Sequence, residues 1–415
     1  MTAPAPLEPR AYRARRLVTC DAARATADDP LGALDDAGFV VDERGRFAFV
    51  GAAADLPRGV PCTELDGLVT PGLIDAHTHA AWVGSRHVEY ALRMAGADYR
   101  AIADAGGGIV ASHRAVAEAT EAAIADVLTA RLARMVRLGV TTCEVKSGYG
   151  LTPELELRQL SAIAQAAARD DAPTIVPTFL GLHALPPAAR ADRAGYVDRV
   201  VDVLLPEIAA RGLARYVDAY VDANAFTPDE ATRLARRAAT LGLPARLHVG
   251  QFADVGGAEL CAELSAHAAD HLEHVGPRGV DALAAAGVAA GLLPVASFTL
   301  GQAPPPVEAL RRAGVALVVA SDANPGTAPT ESLPLALALA VRLYGLTPAE
   351  ALLGATRRAA ACLGLGARKG AIAAGLDADF AHYHLPHEIA LVQPWGTELA
   401  TYVARKGRTL YSRAR

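Results

Sequence analysis

Apolar and polar positions along this chain change their period near residue 69 and change back near residue 366. Over 38–51, "GFVVDERGRFAFVG", two apolar-rich runs flank the polar "DERGR" and predict a β-hairpin. From residue 69 short β-like runs alternate with Ala-rich stretches of helical period. The strand-like runs are "LVTPGLIDAHTH" (68–79), "GVTTCEVKSG" (139–148), "APTIVPTFLGLHA" (172–184), "RYVDAYVD" (215–222), "PARLHVG" (244–250), "ADHLEHV" (269–275), "GLLPVAS" (291–297) and "GVALVVASD" (314–322). Helical stretches at 114–138, 153–169, 191–211, 228–241 and 305–313 lie between them. Eight β and α units in alternation predict an α/β fold, a (β/α)8 TIM-like barrel. A doubly wound sheet competes, but no Gly-rich dinucleotide fingerprint opens a first helix. The tail, "GAIAAGLDADFAHYHL" and then "ELATYVARKGRTLY", returns to short β-like runs that can complete a small β unit with the N-terminal segment. The predicted division is therefore 1–68 and 366–415 as two parts of a small β domain, with the barrel over 69–365.

Composition narrows the classes. The 415 residues are 52% hydrophobic, enough for a sizeable core, and the net charge of −5 argues against a nucleic-acid partner, which needs a basic stripe. No apolar run reaches the roughly 20 residues of a membrane span; "LPLALALAV" at 333–341 is far shorter. "MTAPAPLEPRAYRARR" has no apolar core of a secretory signal. Five scattered cysteines without a CxxC favour a reducing cytoplasm over a disulfide framework and a thiolate zinc site.

Candidate chemistry sits where the strands end. In a barrel of this kind the functional groups lie at the carboxyl ends of the strands. His77 and His79 are two apart on strand one and so face the same way. His248 ends strand five, His271 lies on strand six and Asp322 ends strand eight. Each histidine alone is equally a satisfied core residue; together, at one end of one barrel, they suit zinc or iron with a position left for water. Three histidines in the tail, His382, His384 and His387, look like incidental surface residues of the small β unit. "GGG" at 106–108 lacks phosphate-loop spacing and reads as a lid.

The HxH after "PGLIDA", the histidines of strands five and six and the strand-eight aspartate resemble the metal-dependent amidohydrolase superfamily. That resemblance implies a distorted barrel joined to a small β-sandwich built from both chain ends. "GSRHVEY" (84–90), "AGGGI" (105–109), "TCEVKSGYGL" (142–151), "FLGLHALPP" (179–187) and "SDANPGTAPTES" (321–332) resemble the imidazolonepropionase family within it. The resemblance implies hydrolytic opening of a cyclic amide, imidazolone propionate, to N-formimidoyl-L-glutamate in histidine degradation. It implies one Zn or Fe ion per chain on His77, His79, His248 and Asp322. His271 would polarise the carbonyl or help activate water, and Asp322 would carry a proton to the leaving nitrogen. Arg86 would hold the substrate's propionate, and Tyr149, His183, Gln251, Asn324, Gly326 and Thr327 match other substrate contacts. A cytoplasmic homodimer is the family expectation. Lys146 invites comparison with a metal-bridging carboxylated lysine, but it lies on strand two rather than strand four. The family's "HADE" or "HAEQ" after the strand-five histidine is "HVGQ" here, so Gly250 replaces the usual acidic residue. The alternatives are an aminohydrolase acting on a nucleobase or pterin, and a non-catalytic scaffold, which would be expected to have lost ligands.

Overall fold

The computed structural model describes residues 6–97, 107–395 and 397–413. Its small unit begins with β1 (Arg10–Val18), β2 (Ala33–Val41), β3 (Phe47–Ala52) and β4 (Cys62–Pro71). The hairpin expected over 38–51 is the antiparallel pair β2–β3, turned by Asp42, which accepts from the amides of Arg44 and Arg46. The barrel follows as β5 (Leu73–Asp75), β6 (Val140–Lys146), β7 (Thr174–Leu182), β8 (Tyr216–Val221), β9 (Arg246–Val249), β10 (Ala268–His271), β11 (Ala289–Leu292) and β12 (Leu317–Val319). The chain then returns to the small unit with β13 (Phe380–Tyr383), β14 (Ala400–Arg405) and β15 (Arg408–Ser412).

The small sheet has the order β15-β14-β13-β4-β1-β2-β3, so strands from both chain ends meet at the β13–β4 pair. It curls on itself: Phe47 on β3 exchanges backbone hydrogen bonds with Gly375 and Leu376, just before β13. Tyr12, Phe39, Phe47 and Phe380 pack inside that curl, with ring centroids 4.9–5.3 Å apart where they touch.

The eight barrel strands run parallel in sequence order. The ring closes above the first and last strands. The Asp322 amide donates to the His77 carbonyl and the His79 amide to the Ala323 carbonyl, so the closing contacts carry the site residues themselves. Alternate residues point inward, and they form layers. At the bottom, Ile74, Val176, Tyr216, Ala268 and Val318 pack on Ala359, Ala360 and Cys362 from the helix Arg357–Cys362, which plugs the barrel. Outward-facing Cys143, Val145, Val217, Leu247 and Val249 join the apolar belt between strands and helices. Each such aliphatic side chain contributes about 1.5–3 kcal/mol on burial, so the belt, rather than the polar barrel interior, supplies the stability.

Several expected elements are shorter or divided. "LVTPGLIDAHTH" splits at Gly72 into β4, which belongs to the small sheet, and β5, which belongs to the barrel. "GLLPVAS" is a strand only to Leu292, because Pro294 opens the helix Pro294–Leu300. The 114–138 stretch is two helices, Ile109–Glu118 and Glu121–Arg137, parted where the Thr120 hydroxyl caps the second. Among the described residues no helix is long and apolar enough to cross a membrane.

Candidate active site

The top of the barrel gathers the residues that sequence reasoning singled out. The Nε2 atoms of His79 and His248 are 3.2 Å apart. Asp322 Oδ1 lies 3.5 Å from His77 Nε2 and 3.4 Å from His79 Nε2. Four ligands on a tetrahedral shell of about 2.1 Å radius stand about 3.4 Å from one another, so this spacing fits a metal ion at the centre. His77 Nε2 and Asp322 Oδ1 are buried without a hydrogen-bond partner, which is costly unless a cation completes them. The three histidines form a buried cluster with ligand atoms within 4.8 Å of one another, and Asp322 joins it through His77 and His79.

The next layer down orients the imidazoles. Asp270 Oδ2 is 2.8 Å from His77 Nδ1, which commits that nitrogen to the carboxylate and turns Nε2 to the centre. Asp218 accepts from the His248 amide through Oδ1, and its Oδ2 lies 2.9 Å from His248 Nδ1, close but out of line for a hydrogen bond. Two cations balance these acids: Arg246 Nη2 is 3.4 Å from Asp270, and Lys146 Nζ is 2.9 Å from both Glu144 and Asp218. Lys146 is fully buried in this ion-pair cluster, its amine held between Glu144 and Asp218.

Electrostatics follow the packing. Burial pushes His248 well below its ordinary pKa and His79 down as well. Burial and Lys146 oppose a proton on His77, but Asp270 and Asp322 outweigh them and lift it to about 9. Burial alone would raise Asp322; the two facing imidazoles hold it well below the usual carboxylate range. Two neutral imidazoles and an ionised carboxylate therefore converge on one point, where His77 would exchange its proton for a divalent cation.

Around the cluster lies a pocket lined by His79, Arg86, Tyr149, His183, Gln251, His271, Asp322, Asn324 and Thr327. His183 donates from Nδ1 to the Gly148 carbonyl at 2.7 Å, and burial lowers its pKa to about 3, so the ring is neutral with Nε2 as an acceptor. The Tyr149 phenol stays protonated because burial raises its pKa. Gln251 Oε1 accepts from Tyr220, leaving its amide nitrogen as the donor it can offer.

Two expected contacts take another form. Asn324 spends its amide on its own turn, accepting from the Gly326 and Thr327 amides and donating to the Asp322 carbonyl. It shapes the loop that carries Asp322, which sits at φ 53. Arg86 gives Nε and Nη2 to Glu89 at 2.7 and 2.6 Å, so one edge of its guanidinium is already taken. Gly326 is needed as glycine: a Cβ there would lie 2.3 Å from Arg86 Nη1. Gly250 has φ +66, and a Cβ there would make only ordinary contacts at 3.7 Å or more, so the departure from an acidic residue coincides with a left-handed backbone position.

His382 is buried rather than at the surface, hydrogen-bonded to Thr401 and to the Asp66 carbonyl in the small sheet. Of the "GGG" at 106–108 expected as a lid, Gly106 lies outside the described residues; the Gly108 amide donates to Glu89 at 2.8 Å. Sequence reasoning missed Tyr220, Phe252 and Ile109 in the pocket wall and the acids Glu144 and Asp270 beneath it. Tyr220 and Asp218 alternate with apolar positions on β8, which was a readable sign that both point inward.

The amidohydrolase family model matches residues 68–407. The imidazolonepropionase of Caulobacter vibrioides is 44% identical over 370 residues, which is 88% of this chain and 92% of that protein. That of Cupriavidus pinatubonensis is 44% identical over 387 residues, 92% and 90% of the two chains. Among solved structures, a triazine hydrolase variant superposes with a TM-score of 0.73 at 19% identity, over 98% of this chain and 95% of that one. An adenosine deaminase from Xanthomonas campestris with bound zinc gives 0.70 at 20% identity, over 98% and 93%. These two share the fold: a distorted barrel with a small β unit. With a metal-fitting histidine cluster at the barrel mouth, and with relatives of this identity spanning nearly their whole length, the chain belongs to the amidohydrolase family, in its imidazolonepropionase branch.

Proposed function

We propose that this chain hydrolyses 4-imidazolone-5-propanoate to N-formimidoyl-L-glutamate, a step of histidine degradation. The observation that carries the reading is 44% identity to imidazolonepropionases across about nine-tenths of both chains. One zinc or iron ion per chain, held by His77, His79, His248 and Asp322, would supply Lewis acidity and lower the pKa of a water toward ~7.

The residues around it would do the rest. Water adds to the ring carbonyl carbon while the C–N bond to the ring nitrogen breaks, so one proton must leave the water and one must reach that nitrogen. Asp322, kept ionised by its imidazole neighbours, accepts the first and delivers the second. His271, with its ring centroid 6.0 Å from that of His77 and 5.3 Å from that of His248, helps activate the water by accepting a hydrogen bond from it at Nε2. His183 Nε2 accepts from a ring N–H, and Tyr149 and Gln251 donate to ring oxygen or nitrogen. Arg86 meets the propionate with the Nη1/Nη2 edge that Glu89 leaves open, with Thr327 beside it and Gly326 making room. Asn324 acts through the turn. A cytoplasmic homodimer acting on a small molecule, without nucleic acid or membrane, completes the proposal.

Incubating metal-loaded protein with freshly made imidazolone propionate tests it. N-formimidoyl-L-glutamate should appear by mass spectrometry, and the product should vanish with a chelator. Ammonia released from a nucleobase or pterin, with imidazolone propionate untouched, would overturn it.

A further inference from the structure

Behind His271 lies a buried acid that the proposed chemistry does not use. The chain leaves β10 through two successive non-glycine residues in the left-handed region, His271 at φ 82 and Leu272 at φ 72. Such positions cost about 1–3 kcal/mol each and persist where surrounding structure holds them. Here the Leu272 amide donates to the Val249 carbonyl and the His274 amide to the Gly250 carbonyl. The turn brings Glu273 back onto the ring it follows: Glu273 Oε2 is 3.7 Å from His271 Nδ1, and both side chains are 1% exposed. Neither atom has another hydrogen-bond partner.

The other oxygen of Glu273 is anchored. Ser297 Oγ donates to Glu273 Oε1 at 2.6 Å and lies 2.5 Å from the Tyr344 hydroxyl. Burial and the charge of Glu273 keep the Tyr344 phenol protonated. The phenol therefore donates to Ser297, and the Ser297 proton is left for Glu273. Direction is fixed along the whole chain: Tyr344 to Ser297 to Glu273 Oε1, with Oε2 turned to His271.

We propose that Glu273 is the positioning residue of His271: its carboxylate, held by Ser297 and Tyr344, fixes Nδ1 as the protonated nitrogen and aims Nε2 into the pocket. A neutral imidazole carries one proton, so placing it on Nδ1 leaves Nε2 as an acceptor that orients the water whose proton Asp322 takes. A hydrogen bond between the two requires this gap of 3.7 Å to close when substrate fills the pocket. The inference rests on the proposed role of His271 in opening the imidazolone ring.

The test is a double-mutant cycle with Glu273→Gln, His271→Asn and the pair, measured on metal-loaded enzyme with imidazolone propionate. Glu273→Gln should lower kcat about 10–100-fold while KM moves less than about threefold and bound metal, by elemental analysis, stays at the native level. Glu273→Asp should recover part of the rate. The pair should be no slower than His271→Asn alone, because the acid acts only through the ring. Unchanged kcat in Glu273→Gln beside a damaged His271→Asn overturns the proposal and leaves the hydrolase reading in place, as does loss of metal from Glu273→Gln. An unaffected His271→Asn instead removes the role of His271 itself. Should Glu273→Gln fail to fold, Ser297→Ala releases the same carboxylate by one hydrogen bond: a lower kcat at constant KM supports the proposal, and full activity overturns it.

Discussion

Replacing Arg86 tests the substrate assignment where the charge arithmetic is clearest. Glu89 receives four donors: Nε and Nη2 of Arg86, Nη2 of Arg93 at 2.7 Å and the Gly108 amide at 2.8 Å. Two guanidinium groups share one carboxylate, so this wall of the pocket carries a net charge of +1, and Arg86 is the member that lines the pocket. Its side chain is 8% exposed, so a substrate carboxylate would meet it largely desolvated. Removing one partner of a buried, hydrogen-bonded charge pair costs about 2–5 kcal/mol. At 1.4 kcal/mol per factor of ten, Arg86→Ala should lower kcat/KM for the propionate substrate by at least about 30-fold.

The same wall predicts how milder changes behave. Arg86→Lys keeps the charge but cannot reach Glu89 and a substrate carboxylate together through a planar fork, so recovery should be partial. Glu89→Gln keeps Arg86 but loosens it, and should cost less than Arg86→Ala. A propionamide analogue should already be poor with the native enzyme and should lose little more in Arg86→Ala. The assay is steady-state kinetics on both tails with metal content checked for each variant. If both tails lose the same factor, Arg86 does not read the carboxylate, and the guanidinium belongs only to the Glu89–Arg93 cluster.

The metal reading expects about one zinc or iron per chain by elemental analysis and loss of activity with a chelator; two tightly held ions, or full activity without any, would reject it. Lys146→Met should leave Glu144 and Asp218 buried without their cation and cost about 3–5 kcal/mol, read from denaturant unfolding of the apoprotein; a change below about 1 kcal/mol would show the pair to be dispensable. His183 should remain neutral, with its proton on Nδ1, at pH 5 by histidine-selective NMR. Its pKa is lowered to about 3 against the ordinary 6.5, so the unfolded chain binds the extra proton first and this ring withdraws stability as pH falls from 6.5 toward 3. A ring that titrates near 6.5 contradicts the burial argument.

What was legible in the sequence followed from periodicity. The strand runs are short, bounded and separated by helical stretches, and that alternation is the barrel. His77 and His79 share a face because they are two apart, and the ends of strands five and eight brought His248 and Asp322 to the same rim. Less legible were the element ends. Gly72 lets one apolar run serve two sheets, and no local pattern distinguishes that from a single long strand. Arg86 shows a different limit: spacing places it near the pocket, but its partner Glu89 at i+3 competes with any ligand, and only three-dimensional geometry shows which edge each takes.

The layer beneath the metal cluster was legible only in part, through Lys146, and for a physical reason. Glu144, Lys146, Asp218, Arg246 and Asp270 come from four strands, and each alone on a buried strand contradicts the apolar pattern expected there. Their presence makes sense only as a set. Lys146 and Arg246 contribute two positive charges, and Glu144, Asp218 and Asp270 three negative ones; Asp322 at the rim adds a fourth. These six groups sum to −2, which a proton on His77 offsets in part until a divalent cation takes its place. Burying such a set without the ion leaves that imbalance in a low-dielectric interior, which is expensive. Each of these carboxylates stands between a cation and an imidazole: Asp218 Oδ2 is 2.9 Å from Lys146 Nζ and 2.9 Å from His248 Nδ1, and Asp270 Oδ2 is 3.4 Å from Arg246 Nη2 and 2.8 Å from His77 Nδ1. The arrangement stabilises imidazoles whose Nε2 atoms all face upward, at the cost of a barrel interior that has no use for those charges unless a metal is to be bound above them.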